Sequence, residues 1–226
     1  MKKLIYNKVD KAMISDLKRV DFFGKIYVVT SPTEAEHVVD YLLSQPILGF
    51  DTETRPAFEK GKRYRCALLQ VSTRTDCYLF RLNMIGLCPA VVRLLDDKEV
   101  TKVGLAWNND ILSLRELGQF EKGEFIDLQD MVRELGIEDQ SLVKIYANLF
   151  GERISKSERL SNWERRDLKE SQMEYAAIDA WACVRIYNEV NRLLTTGDYE
   201  LVVQPTDKES HDETLADRKS GSAGMP

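Results

Sequence analysis

The chain is short of cysteine, with four in 226 residues: Cys66, Cys77, Cys88 and Cys183. Their spacings show no paired metal-ligand motif. They read as small core residues in a reducing compartment, which makes the cytoplasm the expected location. Long apolar runs are also missing. No stretch approaches the length needed to span a membrane, which argues against a membrane protein. Met1-Lys2-Lys3-Leu4-Ile5-Tyr6-Asn7-Lys8 begins like a secretory leader, but no apolar h-region follows it. There is no internal repeat. Basic charge is not in surplus either: 32 Lys and Arg face 37 Asp and Glu, a net charge of −5, which at first sight speaks against a nucleic-acid partner. What remains is ordinary soluble composition, 43% hydrophobic and 31% charged, in a length that suits one domain with a sizeable core.

Two acids stand out against that background. Ile47-Leu48-Gly49-Phe50-Asp51-Thr52-Glu53-Thr54 is an apolar run that ends in carboxylates and is bounded by Pro46 and Arg55-Pro56. It reads as a buried strand. Side chains two apart on a strand share a face, so Asp51 and Glu53 project together. Each raises the other's pKa, and a hard divalent cation relieves that repulsion. Taken alone, the pair also fits two solvated acids at a strand end.

A third acid, Asp110, follows the strand-like run Thr101-Lys102-Val103-Gly104-Leu105 and opens Ile111-Leu112-Ser113-Leu114, which reads as helix. Asn108, Asn109 and Asp110 all suit a helix start, so Asp110 is open to reading as a cap. A fourth lies in Met173-Glu174-Tyr175-Ala176-Ala177-Ile178-Asp179-Ala180-Trp181-Ala182. Nothing breaks that helix before Gly197. Tyr175 and Asp179 are four apart and share a face. The small and apolar neighbours enclose the helix, and an enclosed Asp needs a partner.

The remaining pattern is α/β. Lys25–Thr30 reads as a strand. Ser31-Pro32-Thr33-Glu34 opens a helix to about Leu43. Ala67–Ser72 and Asp76–Leu82 flank Thr73-Arg74-Thr75 as a hairpin. Thr101–Leu105 and Glu124–Leu128 are further strands, each followed by a helix, the second running through Leu135. Gln140–Phe150 and Glu170–Leu194 are helices, and Val9–Val20 is expected as a short helix outside the sheet. Strands alternating with helices predict a mixed, mostly parallel central sheet flanked by helices, with one antiparallel hairpin. Ligands of such sheets sit at strand carboxyl ends, where Glu53 and Asp110 both fall.

Taken in order, Gly49-Phe50-Asp51-Thr52-Glu53, Val103-Gly104 with Asp110, and Gln172-x-x-Tyr175-Ala176-Ala177-x-Asp179 resemble the three motifs of the DEDDy-type 3′–5′ exonucleases, the group of ribonuclease D and the Werner-helicase exonuclease domain. The resemblance covers roughly Phe22 to Leu194, and Trp163, Arg166 and Leu168 resemble the segment leading into the third motif. Two positions depart from the pattern: Asp167 stands where Pro is common, and Lys169 where Ser or Thr usually caps the helix. An Asp167-x-x-Glu170 cap is expected to replace them.

The resemblance implies a ribonuclease H-like fold and a metal-dependent exonuclease that removes nucleoside 5′-monophosphates from the 3′ end of DNA or RNA. It implies two divalent cations, Mg²⁺ or Mn²⁺, roughly 3.5–4 Å apart. Asp51 would bridge them, Glu53 and Asp179 would complete one site, Asp110 would serve the other through water, and Tyr175 would hydrogen-bond the attacking water. Two rivals remain: an endonuclease on the same fold, and a catalytically silent nucleic-acid-binding or scaffold module.

Local charge softens the acidic total. Between Pro205 and Pro226 five acids (Asp207, Glu209, Asp212, Glu213, Asp217) face three bases (Lys208, Arg218, Lys219), contributing −2. Arg55, Lys60, Lys62, Arg63 and Arg65 crowd the segment after Glu53. Lys156, Arg159, Arg165, Arg166 and Lys169 form a second group, from which Lys156 and Arg166 are taken as candidates. Both groups are candidate phosphate contacts, and both also fit solvated loops. Phe58 and Tyr64 are placed to stack a base or to anchor the loop. Residues 1–21 are expected as an N-terminal arm, 22–204 as the exonuclease domain and 205–226 as a disordered polar tail.

Overall fold

The computed structural model describes residues 2–204; the expectation of a disordered tail over 205–226 lies outside them. In chain order the elements are β1 (Lys3–Tyr6), α1 (Lys11–Ser15), β2 (Lys18–Arg19), β3 (Ile26–Val29), α2 (Pro32–Leu42), β4 (Ile47–Thr54), β5 (Cys66–Ser72), β6 (Cys77–Phe80), α3 (Leu82–Ile85), α4 (Pro89–Asp96), β7 (Thr101–Gly104), α5 (Asn108–Arg115), β8 (Phe125–Asp127), α6 (Leu128–Glu134), α7 (Leu142–Phe150), β9 (Glu152–Arg153), α8 (Glu170–Thr196) and β10 (Tyr199–Val202).

Six strands form one sheet in the order β3-β6-β5-β4-β7-β8. Only β5 runs against the others, antiparallel to β4 and to β6. The β3–β6, β4–β7 and β7–β8 pairs are parallel. This is the mixed, mostly parallel sheet that the sequence predicts. The Thr73–Thr75 turn closes the hairpin, with the Asp76 backbone carbonyl accepting from the Thr73 N–H at 2.9 Å.

Period-two alternation sorts the sheet into two faces. Leu48, Phe50, Leu69, Val71, Tyr78 and Phe80 join a core with α2, α4 and α5. Ile47, Val103, Leu68 and Leu79 face the other way, toward α6, α7 and α8. Helix α2 starts as expected: the Ser31 side chain caps the Glu34 N–H, Glu34 reaches back, and Pro32 occupies the first turn. Its buried residues Ala35, Val39 and Leu42 follow a four-three spacing that lays one stripe on the sheet. Helix α8 runs 27 residues and ends at Gly197, whose φ of 66° is the left-handed stop that glycine adopts without strain.

Two local expectations differ. The Val9–Val20 segment holds only a five-residue helix, and Lys18–Arg19 instead pairs in parallel with Glu152–Arg153. Helix α8 is not capped by Asp167 with Glu170. Lys169 is the N-cap residue, and its N–H donates to Gln172 Oε1 at 3.1 Å. A lysine side chain has no acceptor, so only the reciprocal half of a capping box forms. Residues 3–6 pair in parallel with 199–202, a long-range ladder that joins the two ends of the described chain.

Candidate metal centre and active site

The carboxylates sit where β4 outlasts a neighbour. β4 pairs with β7 only over Ile47–Gly49 but with β5 as far as Thr54. Beyond Gly49 one flank is therefore open, and the burial of the strand changes from complete over 47–50 to partial over 51–54. Asp51 and Glu53 inherit the face of Ile47 and Gly49, which is the face under α8.

Gly49 lets α8 come close. A Cβ there would fall 2.0 Å from the Ala180 carbonyl oxygen, so any larger residue would push the helix away. That approach brings Asp179 down to the strand. Asp51, Glu53 and Asp179 each offer an oxygen, and the three oxygens lie within 4.8 Å of one another. Hard carboxylate oxygens at that spacing suit Mg²⁺ or Mn²⁺. The donor set therefore fits a divalent cation.

Asp110 arrives from the other side of the sheet. It lies in the first turn of α5, after a β7–α5 turn in which Ala106 takes a φ of 57°. That left-handed conformation is strained for alanine. Asp127 holds it, its Oδ1 accepting from the Ala106 N–H at 3.1 Å and from the Gln129 N–H at 2.9 Å. Thr52, on the opposite face of β4 from its acidic neighbours, donates its hydroxyl to Asp110 Oδ1. Asp110 thus stands outside the trio, yet its charge still raises the pKa of Asp51 and of Glu53.

The electrostatics are those of an uncompensated anionic cluster. Burial, then Asp179 and Asp110, hold the Asp51 carboxyl well above its usual range. Burial, then Asp51, Asp179 and Asp110, push Glu53 up to about 10, opposed by Arg159. Burial pushes Asp179 up to about 7, while a hydrogen bond from the Tyr175 hydroxyl lowers it. Burial also raises Asp110, against the Thr52 hydrogen bond. Tyr175 is raised above the ordinary phenol range by burial and by the nearby carboxylates. It packs on buried Trp163, ring centroids 6.0 Å apart. Its proton is therefore held, which suits a donor and not a base.

Asp51, Tyr175 and Asp179 open onto a cavity of about 200 Å³ that is also lined by Ser155, Lys156, Arg159 and Cys183 among others. Of the candidate phosphate contacts, Lys156 reaches this cavity. Arg166 does not line it; its backbone carbonyl accepts from Arg81 Nη1 at 3.1 Å. Arg159, in the same basic group but not singled out from it, also lines the cavity and acts on Glu53. Its neighbour Lys156 was the available signal, three residues away in the same basic group.

A second groove adjoins the end of β4 and is lined by Arg55, Phe58, Lys62, Tyr64, Leu160 and Asn162. Arg55 lies 4.6 Å above the Tyr64 ring and pairs with Glu164 at 3.3 Å. Lys62 sits 5.6 Å over the same ring. Lys60, Arg63 and Arg65 are exposed. All four cysteines are buried free thiols. Among the described residues no helix is long and apolar enough to cross a membrane.

Comparison with known proteins bears on this arrangement. A 3′–5′ exonuclease family model matches residues 26–195. The mouse bifunctional 3′–5′ exonuclease/ATP-dependent helicase WRN is 30% identical over 196 residues, covering 82% of this chain but only 14% of the mouse protein. The Nibbler EXO domain of Aedes aegypti superimposes with a TM-score of 0.69 at 24% identity, over 77% of this chain and 91% of that one. Ribonuclease D of Trypanosoma brucei, solved in complex with RNA U12, gives a TM-score of 0.64 at 19% identity, over 75% and 63% respectively. These neighbours share the ribonuclease H-like fold, and the family model spans most of this chain, including Asp51, Glu53, Asp110 and Asp179. The chain belongs to the DEDD-type 3′–5′ exonuclease family.

Proposed function

We propose that this protein is a metal-dependent exonuclease that hydrolyses DNA or RNA from the 3′ end and releases nucleoside 5′-monophosphates. The observation that carries the reading is the Asp51, Glu53 and Asp179 trio, with oxygens within 4.8 Å, at the carboxyl end of the central strand of a family fold. Asp51, Glu53 and Asp179 would hold one divalent cation, and Asp51 with Asp110 a second. Two such ions, Mg²⁺ or Mn²⁺, would supply stabilisation of the charge on the attacking and leaving oxygens of an in-line displacement.

The chain's own residues supply the rest. The Tyr175 hydroxyl, beside Asp179, orients the attacking water. Water attacks phosphorus and gives up a proton to solvent, the bond from phosphorus to the 3′ oxygen of the penultimate nucleotide breaks, and that oxygen takes up a proton from solvent to leave a 3′ hydroxyl on the shortened strand. The terminal nucleotide leaves as its 5′-monophosphate. Lys156 and Arg159 face the cavity and would neutralise the phosphate as it enters over the acids. The aromatic and cationic groove of Arg55, Phe58, Lys62 and Tyr64 would receive the strand, with Lys60, Arg63 and Arg65 adding phosphate contacts at its rim. Support for a nucleic-acid substrate comes from the trypanosome relative solved with RNA.

In this reading residues 22–204 are the nuclease unit, 1–21 an N-terminal arm, and the cytoplasm the compartment expected from cysteine usage. The test is a degradation ladder on 5′-labelled DNA and RNA with Mg²⁺, Mn²⁺ or EDTA. Stepwise shortening that EDTA abolishes supports it. Internal cuts would favour an endonuclease, and an intact substrate that is bound but not cleaved would favour a silent binding module.

A further inference from the structure

Gln70 is the anomaly of the buried interior. Its exposure is 0%, and neither its side-chain oxygen nor its nitrogen has a hydrogen-bond partner. A buried amide left unpaired is destabilising, and native proteins hold few of them. The residue therefore calls for a reason beyond packing.

Its position supplies one. In the β4–β5 ladder Gln70 stands directly opposite Asp51, and on its other side opposite Leu79. Strand alternation puts it with Leu68 on the face under α8. There Leu68, Leu79, Ala176, Ala177 and Ala180 form an apolar shell, and Asp51 is the acid across the ladder. Directly opposed residues have Cβ atoms about 4.5–5.5 Å apart, a distance that a glutamine side chain spans by rotating its own torsions. Asp51 is under-bonded in turn: its carboxylate accepts from the Thr52 N–H at 2.9 Å. Carboxylates that ligate metals are themselves held by further hydrogen bonds, and removing such a partner weakens the metal by about 10–100-fold.

We propose that Gln70 is a positioning residue for Asp51: its side-chain N–H donates to the ionised Asp51 carboxylate and fixes that group's orientation toward a divalent cation. This rests on the metal-centre reading above. An amide suits the role because it donates without adding charge to a cluster already crowded with acids. A lysine there would compete with the cation, and a glutamate would deepen the repulsion.

The experiment is a Mn²⁺ titration by calorimetry and by thermal shift on four proteins: wild type, Q70M, Q70L and D51N. Methionine keeps the volume and length of glutamine without its hydrogen bonds. In metal-free buffer Q70M is expected to melt at or above the wild-type temperature, because an unpaired buried amide is gone. Its Mn²⁺ affinity is expected to fall by about 10-fold or more. Q70L repeats the test if methionine packs poorly. Wild-type affinity in a stable Q70M or Q70L overturns the inference alone. A metal-free destabilisation of both variants with unchanged Mn²⁺ affinity also overturns it and assigns Gln70 to packing. If D51N binds Mn²⁺ as the wild type does, the metal-centre reading fails, and this inference fails with it.

Discussion

The two faces of the central sheet solve different problems. On one, Leu48, Phe50, Leu69, Val71, Tyr78 and Phe80 pack against α2, α4 and α5. The charged group buried there, Lys102, is satisfied by the carbonyl of Val100 at 3.0 Å and that of Asp97. On the other, the same strands present Asp51, Glu53 and Gln70 to α8, which adds Asp179. These groups are desolvated, mutually repelling or unpaired. One face lowers the free energy of the fold, and the other holds unfavourable charge that a ligand can relieve. Changes to the two faces should therefore move stability and activity in opposite senses.

The sharpest contrast comes from the acids. Asp51→Asn, Glu53→Gln, Asp110→Asn and Asp179→Asn should each reduce nuclease activity to near background. The metal-free melting temperature should hold or rise, because a repelling charge is lost. Near wild-type rates in two of the four would dissolve the proposed site. Phe50→Ala, one residue from Asp51 but on the other face, should do the reverse. It should cost about 3–5 kcal/mol of stability, read by denaturant unfolding, while the folded fraction still binds Mn²⁺.

Tyr175→Phe comes next. It removes a hydroxyl and no carboxylate, so Mn²⁺ affinity should change little while single-turnover hydrolysis falls by about 10²–10⁴-fold. Normal turnover together with a lowered melting temperature would make Tyr175 a packing residue.

A pH series on the metal-free protein separates the faces without mutation. The folded-state values of Asp179 and Glu53 are raised, to about 7 and about 10, from ordinary values of 3.8 and 4.5. Well below these ordinary values, at pH about 2–3, both states are protonated and no penalty exists. As pH rises, the unfolded chain ionises first, so stability is lost progressively from there toward the raised values. The melting temperature in EDTA should therefore fall between pH 5 and pH 8, and saturating Mn²⁺ should flatten the decline. A pH-independent profile in EDTA would contradict the cluster's electrostatics.

The smallest effect belongs to the rim. Lys60, Lys62 and Arg63 replaced together by Ala should weaken single-stranded substrate binding and reduce its salt slope by roughly 0.7 per lost phosphate contact. Lys156 and Arg159 replaced by Ala should affect binding more, since these line the acid cavity itself. An unchanged slope for the first set would leave that loop to solvent.

Much of the site is legible in the chain because it is local. Strand parity puts Asp51 with Glu53, helical spacing puts Tyr175 with Asp179, and the Ser31 box with Pro32 marks the start of α2. Each follows from dihedral geometry over a few residues. The β1–β10 and β2–β9 ladders were not legible. They are four and two residues long, they pair across most of the chain, and no periodicity emerges from so few positions. The replacement of the expected Asp167 cap by Lys169 with Gln172 depended on where the Trp163–Leu168 segment docks, and Arg81 decides that by holding the carbonyls of Arg165 and Arg166.

By itself, then, the sequence determined which residues share a face and which chemistry those faces carry, since backbone geometry allows only periods of about two and 3.6 residues. Tertiary structure alone decided which faces meet. The close approach of α8 over Gly49 makes one cluster of Asp51, Glu53 and Asp179, and the Thr52 hydrogen bond ties in Asp110 from the opposite side of the sheet. Arg159, and not Arg166, was brought to the cavity, and Gln70 was sealed beside Asp51. These outcomes depend on contacts between residues far apart in the chain, which packing fixes and local periodicity does not encode.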